Sequence, residues 1–284
     1  MKKVLIAMVL TAVCGTASAQ PLEIKLWPDG APEDNGITAP ERHEENGNWW
    51  NTSEAAMYVY PADKSANTGR AMLICPGGGY AMLSASHEGK MFAEWFAAGG
   101  ITAVVLKYRL PNRHSEIPLA DAMQAMKLLR ENAKEWGVDP SKIGVMGFSA
   151  GGHLASTLLT HYDSPQTRPS FGILYYPVIS MGELTHQSSR DFLLGENPTP
   201  EAVDYYSSEL QVTGDTPPTM IFFSNDDGLV DSRNGVMFYD ALKQNKVGAA
   251  LYIFPSGEHG WGFGPWFPYH EQMKALTMDW ISRF

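Results

Sequence analysis

Ser149 stands in Gly147-Phe148-Ser149-Ala150-Gly151, a G-x-S-x-G pattern. An apolar run, Ile143 to Met146, precedes it, and Leu154, Ala155, Leu158 and Leu159 follow at helical spacing. That succession reads as a strand, a sharp turn and a helix. A serine held in such a turn occupies sparsely allowed backbone angles, and the flanking glycines remove side chains that would collide with it. Its hydroxyl then stands clear of the sheet, beside the unpaired N–H groups of a helix start, where an anion is favoured. This is a setting for a nucleophile. A bare G-x-S-x-G also occurs as an ordinary Gly-Ser turn; the strand before it and the helix after it separate the two readings.

A nucleophilic serine needs a base, and the base needs an orienting acid. His259 lies in Pro255-Ser-Gly-Glu-His-Gly-Trp-Gly262, a glycine-rich loop after the apolar run Ala249 to Phe254. A loop at the end of a strand places an imidazole where it can reach the serine turn. His153 is one helical turn beyond Ser149 and points into the helix packing. His43, His87, His114, His161, His186 and His270 have no strand-end setting. The acid is expected after the strand Thr219 to Phe223, in Ser224-Asn225-Asp226-Asp227-Gly228. Asp227 is the choice, with Asp226 as the alternative.

Another glycine run, Pro76-Gly77-Gly78-Gly79-Tyr80, follows the apolar strand Ala71 to Cys75. Consecutive glycines let a backbone approach a ligand with its N–H groups exposed. No G-x-x-x-x-G-K-[ST] lysine follows and no G-x-G-x-x-G is completed, so phosphate binding is disfavoured. The N–H groups of Gly78, Gly79 and Ala150 are then the expected oxyanion donors. Tyr80, closing the glycine run, and Trp261, beside the base, are the residues expected to touch substrate; for Trp261 a core role is the competing reading. No paired His or Cys spacing suggests a metal, and no cofactor is expected.

The positioning elements alternate. Strands are expected at Tyr58–Tyr60, Ala71–Cys75, Ile101–Leu106, 143–146, Phe171–Tyr176, Thr219–Phe223 and Ala249–Phe254. Helices are expected at His87–Ala98, Ile117–Trp136, after Ser149, at Ser232–Lys246 and at Met273–Phe284. The alternation predicts an α/β fold, a mostly parallel sheet with helices on both faces. A polar, proline-bearing stretch at 180–218, with short helical pieces at Ser188–Leu194 and Thr199–Ser207, interrupts it. That stretch reads as an insertion over the sheet's C-terminal edge, before the acid-bearing strand. Residues 20–284 are expected to form one domain. Adjacent Trp49 and Trp50 read as packing anchors or as a sugar-stacking pair.

Lys2 and Lys3, the apolar run Val4 to Val13 and Ala17-Ser18-Ala19 form, in order, the three regions of an export signal. The expectation is a protein exported to the periplasm or the exterior after cleavage near Ala19, with no membrane anchor, since the apolar run is too short to span a bilayer. Cleavage removes Cys14, leaving Cys75 and no intramolecular disulfide. The formal net charge is −10 and no basic cluster appears, which makes nucleic acid and anionic membranes poor partners. A neutral substrate is permitted.

Taken together, Pro76-Gly-Gly-Gly-Tyr80, Tyr108-Arg-Leu110, Gly147-Phe-Ser-Ala-Gly-Gly-His153, Asp227 and His259-Gly-Trp-Gly262 resemble the esterase and lipase branch of the α/β-hydrolases. Within it the chain is similar to secreted bacterial carbohydrate esterases of the acetylxylan and feruloyl type, from about Leu26 to the C-terminus. The order Ser149, Asp227, His259 is the one that fold uses. Pro76 stands where many such esterases have histidine, and Asp231 where proline commonly follows the acid. The resemblance implies an α/β-hydrolase fold and hydrolysis of acetyl, or alternatively feruloyl, esters on xylan-type carbohydrate or other small esters. Trp49, Trp50, Trp261, Trp266 and Tyr269 are the aromatics available for a sugar platform. A general short-chain carboxylesterase, a serine exopeptidase and a catalytically silent binding protein are the alternatives.

Overall fold

The computed structural model describes residues 21–284; the expected export signal and Cys14 lie outside the described residues. In chain order the elements are β1 (Leu22–Lys25), β2 (Arg42–His43), β3 (Asn48–Trp50), β4 (Ala56–Tyr60), β5 (Arg70–Cys75) and β6 (Met82–Ser84). A π-helical turn (Ser86–Lys90) then runs into α1 (Met91–Ala98), followed by β7 (Ile101–Lys107), α2 (Glu116–Glu131), β8 (Ile143–Phe148) and α3 (Ser149–His161). The remainder is β9 (Gly172–Tyr175), α4 (Gln187–Leu194), α5 (Pro200–Tyr206), β10 (Thr219–Ser224), α6 (Arg233–Gln244), β11 (Ala249–Phe254) and α7 (His270–Ile281).

The main sheet has eight strands in the order β1-β4-β7-β5-β8-β9-β10-β11. From β7 to β11 all neighbours are parallel, while β1 and β4 form an antiparallel edge. Strands β7, β8, β9 and β10 are buried along their whole length, which is why each reads as a continuous apolar run and not as an alternation. The register sets the ends of the parallel strands side by side: Cys75 pairs with Gly147, Phe148 with Tyr175, and Ser224 with Phe254. The loops leaving β5, β8, β10 and β11 therefore meet over one edge, the carboxyl end where ligands bind in open α/β sheets.

Two local features depart from the sequence expectation. A small antiparallel sheet, β2-β3-β6, forms from residues at which no strand was expected, with Trp49 opposite Leu83 and Trp50 opposite Met82. Residues 87–90, expected as ordinary helix, belong instead to the wider π turn, which carries Glu88 and Gly89 into the interior. Gly89 fits there because a Cβ would lie 3.0 Å from Val105 Cγ1. The stretch 180–218 lies between β9 and β10 and holds α4, α5 and a short 3-10 turn. It is pinned to the body: the Asn234 side chain accepts hydrogen bonds from the Ile179 and Ser180 N–H groups, both at 3.1 Å. Ser208 bonds Ser156 at 2.8 Å. No helix among the described residues is long and apolar enough to cross a membrane.

Candidate active site

Ser149 follows β8 directly and opens α3 with φ 51°, a left-handed conformation that a serine adopts only under constraint. The glycines beside it are required by contact. A Cβ on Gly147 would sit 2.1 Å from the Gly151 carbonyl oxygen, and one on Gly151 would sit 2.2 Å from the carbonyl oxygens of Cys75 and Pro76. The helix start is thus pressed against the end of β5, and the Pro76–Tyr80 loop lies beside the serine.

The hydroxyl of Ser149, a residue only 5% exposed, donates to His259 Nε2 at 2.9 Å. His259 Nδ1–H donates to Asp227 Oδ2 at 2.7 Å; a carboxylate only accepts, which fixes this tautomer. The other oxygen of Asp227 accepts the N–H groups of Leu229 and Val230, both at 2.9 Å, and the carboxylate is fully buried. Asp226 turns the other way. Its two oxygens accept the N–H groups of Glu258 at 2.9 Å and Gly257 at 3.2 Å, holding the loop that presents His259. The neighbouring aspartates therefore divide the work between orienting the imidazole and bracing its loop.

In the cavity that Ser149 lines, Gly78 and Gly79 turn at φ 123° and 64°, and their N–H groups donate to no other group among the described residues. Ala150 is in the first turn of α3, where helix geometry leaves its N–H without an intrahelical partner. The adjoining Gly77 N–H donates to Glu88 Oε2 at 3.0 Å. Glu88 Oε1 accepts the Tyr176 hydroxyl at 2.7 Å, and that oxygen in turn accepts the Gly262 N–H at 2.8 Å. The Tyr176 ring stands edge-on to the His259 ring with centroids 4.7 Å apart. A buried carboxylate thus ties the glycine run after β5 to the histidine loop after β11. Sequence reasoning passed over Glu88; the available signal was an acidic residue within an otherwise core-facing helical stretch.

A cavity of about 340 Å³ opens onto this group. Its lining includes Gly78, Gly79, Met82, Ser149, His259, Leu229, His87 and His186. The two further histidines come from segments without a strand-end signal. His87 Nε2 bonds the Gly260 carbonyl oxygen at 3.0 Å, and His186 Nδ1 bonds Ser189 Oγ at 2.8 Å. Half-burial, with the nearby His259, lowers the His186 pKa. Among the described residues no group of His, Cys, Asp or Glu is arranged to hold a metal.

Two expected substrate contacts are corrected. Tyr80 is 1% exposed; it turns inward at φ 60°, and its hydroxyl bonds His153 Nδ1 at 2.8 Å. Trp261 is also 1% exposed: its N–H donates to Ser224 Oγ at 3.0 Å, and its ring stacks on Phe267 with centroids 3.9 Å apart and planes 2° apart. Both are packing residues. His153 is buried in α3 one turn past Ser149, and its Nε2 bonds the Tyr206 carbonyl oxygen at 2.8 Å; burial pushes its pKa down to about 4. Burial raises the thiol pKa of Cys75 far above its usual range. Arg109 and Asp121 form a buried pair at 2.7 Å, and the Tyr108 hydroxyl bonds the Pro76 carbonyl oxygen at 2.8 Å, so Tyr108-Arg-Leu110 anchors the glycine loop from below. Asp231 accepts the Arg233 N–H at 2.9 Å at the start of α6. Trp49 lines a separate cleft with Tyr58 and Tyr60, and Arg42 lies over the Trp50 ring.

Comparison with known proteins agrees with this fold. Residues 72–263 match a family profile described as the alpha/beta hydrolase fold. An acetylxylan esterase of Xylanibacter ruminicola is 43% identical over 221 residues, covering 76% of this chain and 46% of that protein. An endo-1,4-beta-xylanase B of Butyrivibrio fibrisolvens is 40% identical over 203 residues, covering 66% of this chain and 32% of that protein. The chain thus spans less than half the length of either relative. The crystal structure of an acetyl ester-xyloside bifunctional hydrolase from Caldicellulosiruptor lactoaceticus superimposes with a TM-score of 0.81 at 35% identity, covering 94% of this chain and 98% of that one.

Proposed function

The chain belongs to the alpha/beta hydrolase family, and from that premise we propose that it is a serine carboxylesterase removing acetyl groups from xylan-type carbohydrate. The observation that carries the proposal is the unbroken chain of hydrogen bonds from Asp227 through His259 to Ser149, at 2.7 and 2.9 Å. In this reading His259 Nε2 takes the proton as Ser149 Oγ attacks the acetyl carbonyl carbon, and Asp227 stabilises the imidazolium that forms. The tetrahedral oxyanion is received by the N–H groups of Ala150, Gly78 and Gly79, each such donor being worth about 10²–10³ in kcat. Collapse breaks the ester C–O bond, and the sugar hydroxyl leaves with the proton from His259. Water, deprotonated by His259, then releases acetate from the Ser149 acyl ester.

Acetyl is favoured over feruloyl by the names of the relatives, and a neutral glycan suits a chain of net charge −10. Export through the signal read at residues 2–19 would bring the enzyme to such a polymer. The experiment is acetate and ferulate release from acetylated xylan and feruloylated arabinoxylan, paired with labelling by a fluorophosphonate. The wild type labels and releases acetate, and Ser149→Ala does neither, its kcat falling by about 10⁶. A folded wild-type protein that takes no label ends the serine-esterase reading; ferulate released in place of acetate moves the acyl assignment.

A further inference from the structure

A cavity of about 340 Å³ lies at the small end of ligand pockets, which span roughly 300–1,000 Å³. It has room for the acetyl group and the sugar that bears it, so the adjoining sugars of an oligosaccharide must rest on its rim. One wall is His87, fixed by its bond to the Gly260 carbonyl oxygen and by the Phe263 N–H donated to its own carbonyl at 2.8 Å. Beside His87, with ring centroids 6.1 Å apart, stands Trp266. At 66% exposed it is the most open large apolar side chain among the described residues, whereas Trp261, five residues earlier, is 1% exposed.

A single exposed tryptophan needs no explanation by itself. Trp266, however, is held in place. The loop beneath it is a tight turn in which the Gly264 N–H donates to the Trp261 carbonyl at 2.7 Å and the Phe267 N–H to the Gly264 carbonyl at 3.1 Å. The indole rests against that turn: a Cβ on Gly264 would sit 2.4 Å from its Cε2 and Cζ2 atoms. Gly264 thus leaves the space the indole occupies, and the rest of the ring faces water. Sugar rings carry C–H groups on their faces and hydroxyls around their edges, a shape that an open aromatic face with a wet margin complements.

We propose that Trp266 is the platform for the sugar next to the one carrying the scissile ester, making the enzyme selective for acetylated oligosaccharides over acetylated monosaccharides. This rests on the carbohydrate-esterase reading above. Because the ring is exposed, Trp266→Ala leaves the core untouched, and melting temperature checks that it does. The probes are p-nitrophenyl acetate, an acetylated methyl xyloside and acetylated xylotetraose. The variant is expected to lose about five- to tenfold in kcat/KM on the tetraose, chiefly through KM, and to match the wild type on p-nitrophenyl acetate and the monosaccharide. Trp266→Phe is expected to recover most of the loss. If the wild type releases acetate from both sugars and Trp266→Ala releases it equally well from the tetraose, the platform is refuted while the esterase reading stands. An equal loss on all three substrates also overturns it, because the residue would then be acting on the chemistry. If the wild type cleaves the aryl ester and neither sugar, the carbohydrate reading falls and the platform with it.

Discussion

The two sides of Ser149 are built on different principles. On the base side, Asp227 and His259 are joined through their own side-chain atoms, in a line of hydrogen bonds that ends on the serine hydroxyl. On the glycine side, the residues that share the cavity with the serine, Gly78 and Gly79, carry no side chain and offer only backbone groups, which every residue possesses. What matters there is placement, and it is set by backbone angles, Gly78 at φ 123° and Gly79 at φ 64°, and by Glu88 holding the neighbouring Gly77 N–H. A substitution on the base side removes a chemical group, whereas one on the glycine side shifts a geometry, so the two should fail by different amounts and in different ways.

The largest effect expected from this contrast falls on adjacent residues of the base side. Asp227→Asn puts an amide where the imidazole N–H needs an acceptor that also stabilises positive charge. It should lower kcat by about 10⁴ with the fold intact. Asp226→Asn should cost less than about tenfold, because the retained carbonyl oxygen still accepts one of the two backbone N–H groups bracing the loop. Turnover of p-nitrophenyl acetate by the two purified variants decides the matter. A larger loss in the Asp226 variant would reassign the acid.

A smaller effect is expected from Glu88→Gln. The amide oxygen can accept from the Gly77 N–H or from the Tyr176 hydroxyl, but no longer offers a carboxylate oxygen to each. The glycine run and the histidine loop then lose their shared tie. A displacement approaching an ångström costs up to about 100-fold in kcat, while ground-state binding, and so KM, stays within about twofold. A variant that loses thermal stability while keeping its full kcat would show that Glu88 only braces the fold.

What was legible in the sequence follows the same division. The hydrogen-bonded grouping of Ser149, His259 and Asp227 was readable because each follows a strand with a marked signal: an apolar run that ends in glycine or aspartate at a turn. The alternation that gives the parallel sheet was readable because buried parallel strands are apolar throughout. Tyr80 and Trp261 were misread because nearness to a motif does not say which way a loop side chain points. Tyr80 at φ 60° turns into the core, and Trp261, between Gly260 at φ 78° and Gly262 at φ 43°, does the same. Glu88 and His87 depend on a π turn that ordinary helical spacing does not anticipate, and His186 reaches the cavity from the inserted stretch 180–218.

The smallest effect sharpens the contrast within the glycine side itself. The Tyr80 hydroxyl must donate to His153 Nδ1, since Nε2 carries the proton given to the Tyr206 carbonyl. Tyr80→Phe leaves that buried acceptor unpaired and should cost about 1–3 kcal/mol of unfolding free energy, read from urea melts. kcat/KM on both aryl acetate and acetylated xylotetraose should stay within about twofold, because the side chain reaches no substrate. The melts belong above the range in which His153 titrates. Burial holds its folded pKa near 4, below the ordinary 6.5, so as pH falls the unfolded chain takes up the proton first, and stability declines across that interval. A Tyr80→Phe enzyme of unchanged stability whose KM for the tetraose rises severalfold would instead put this ring back among the substrate contacts.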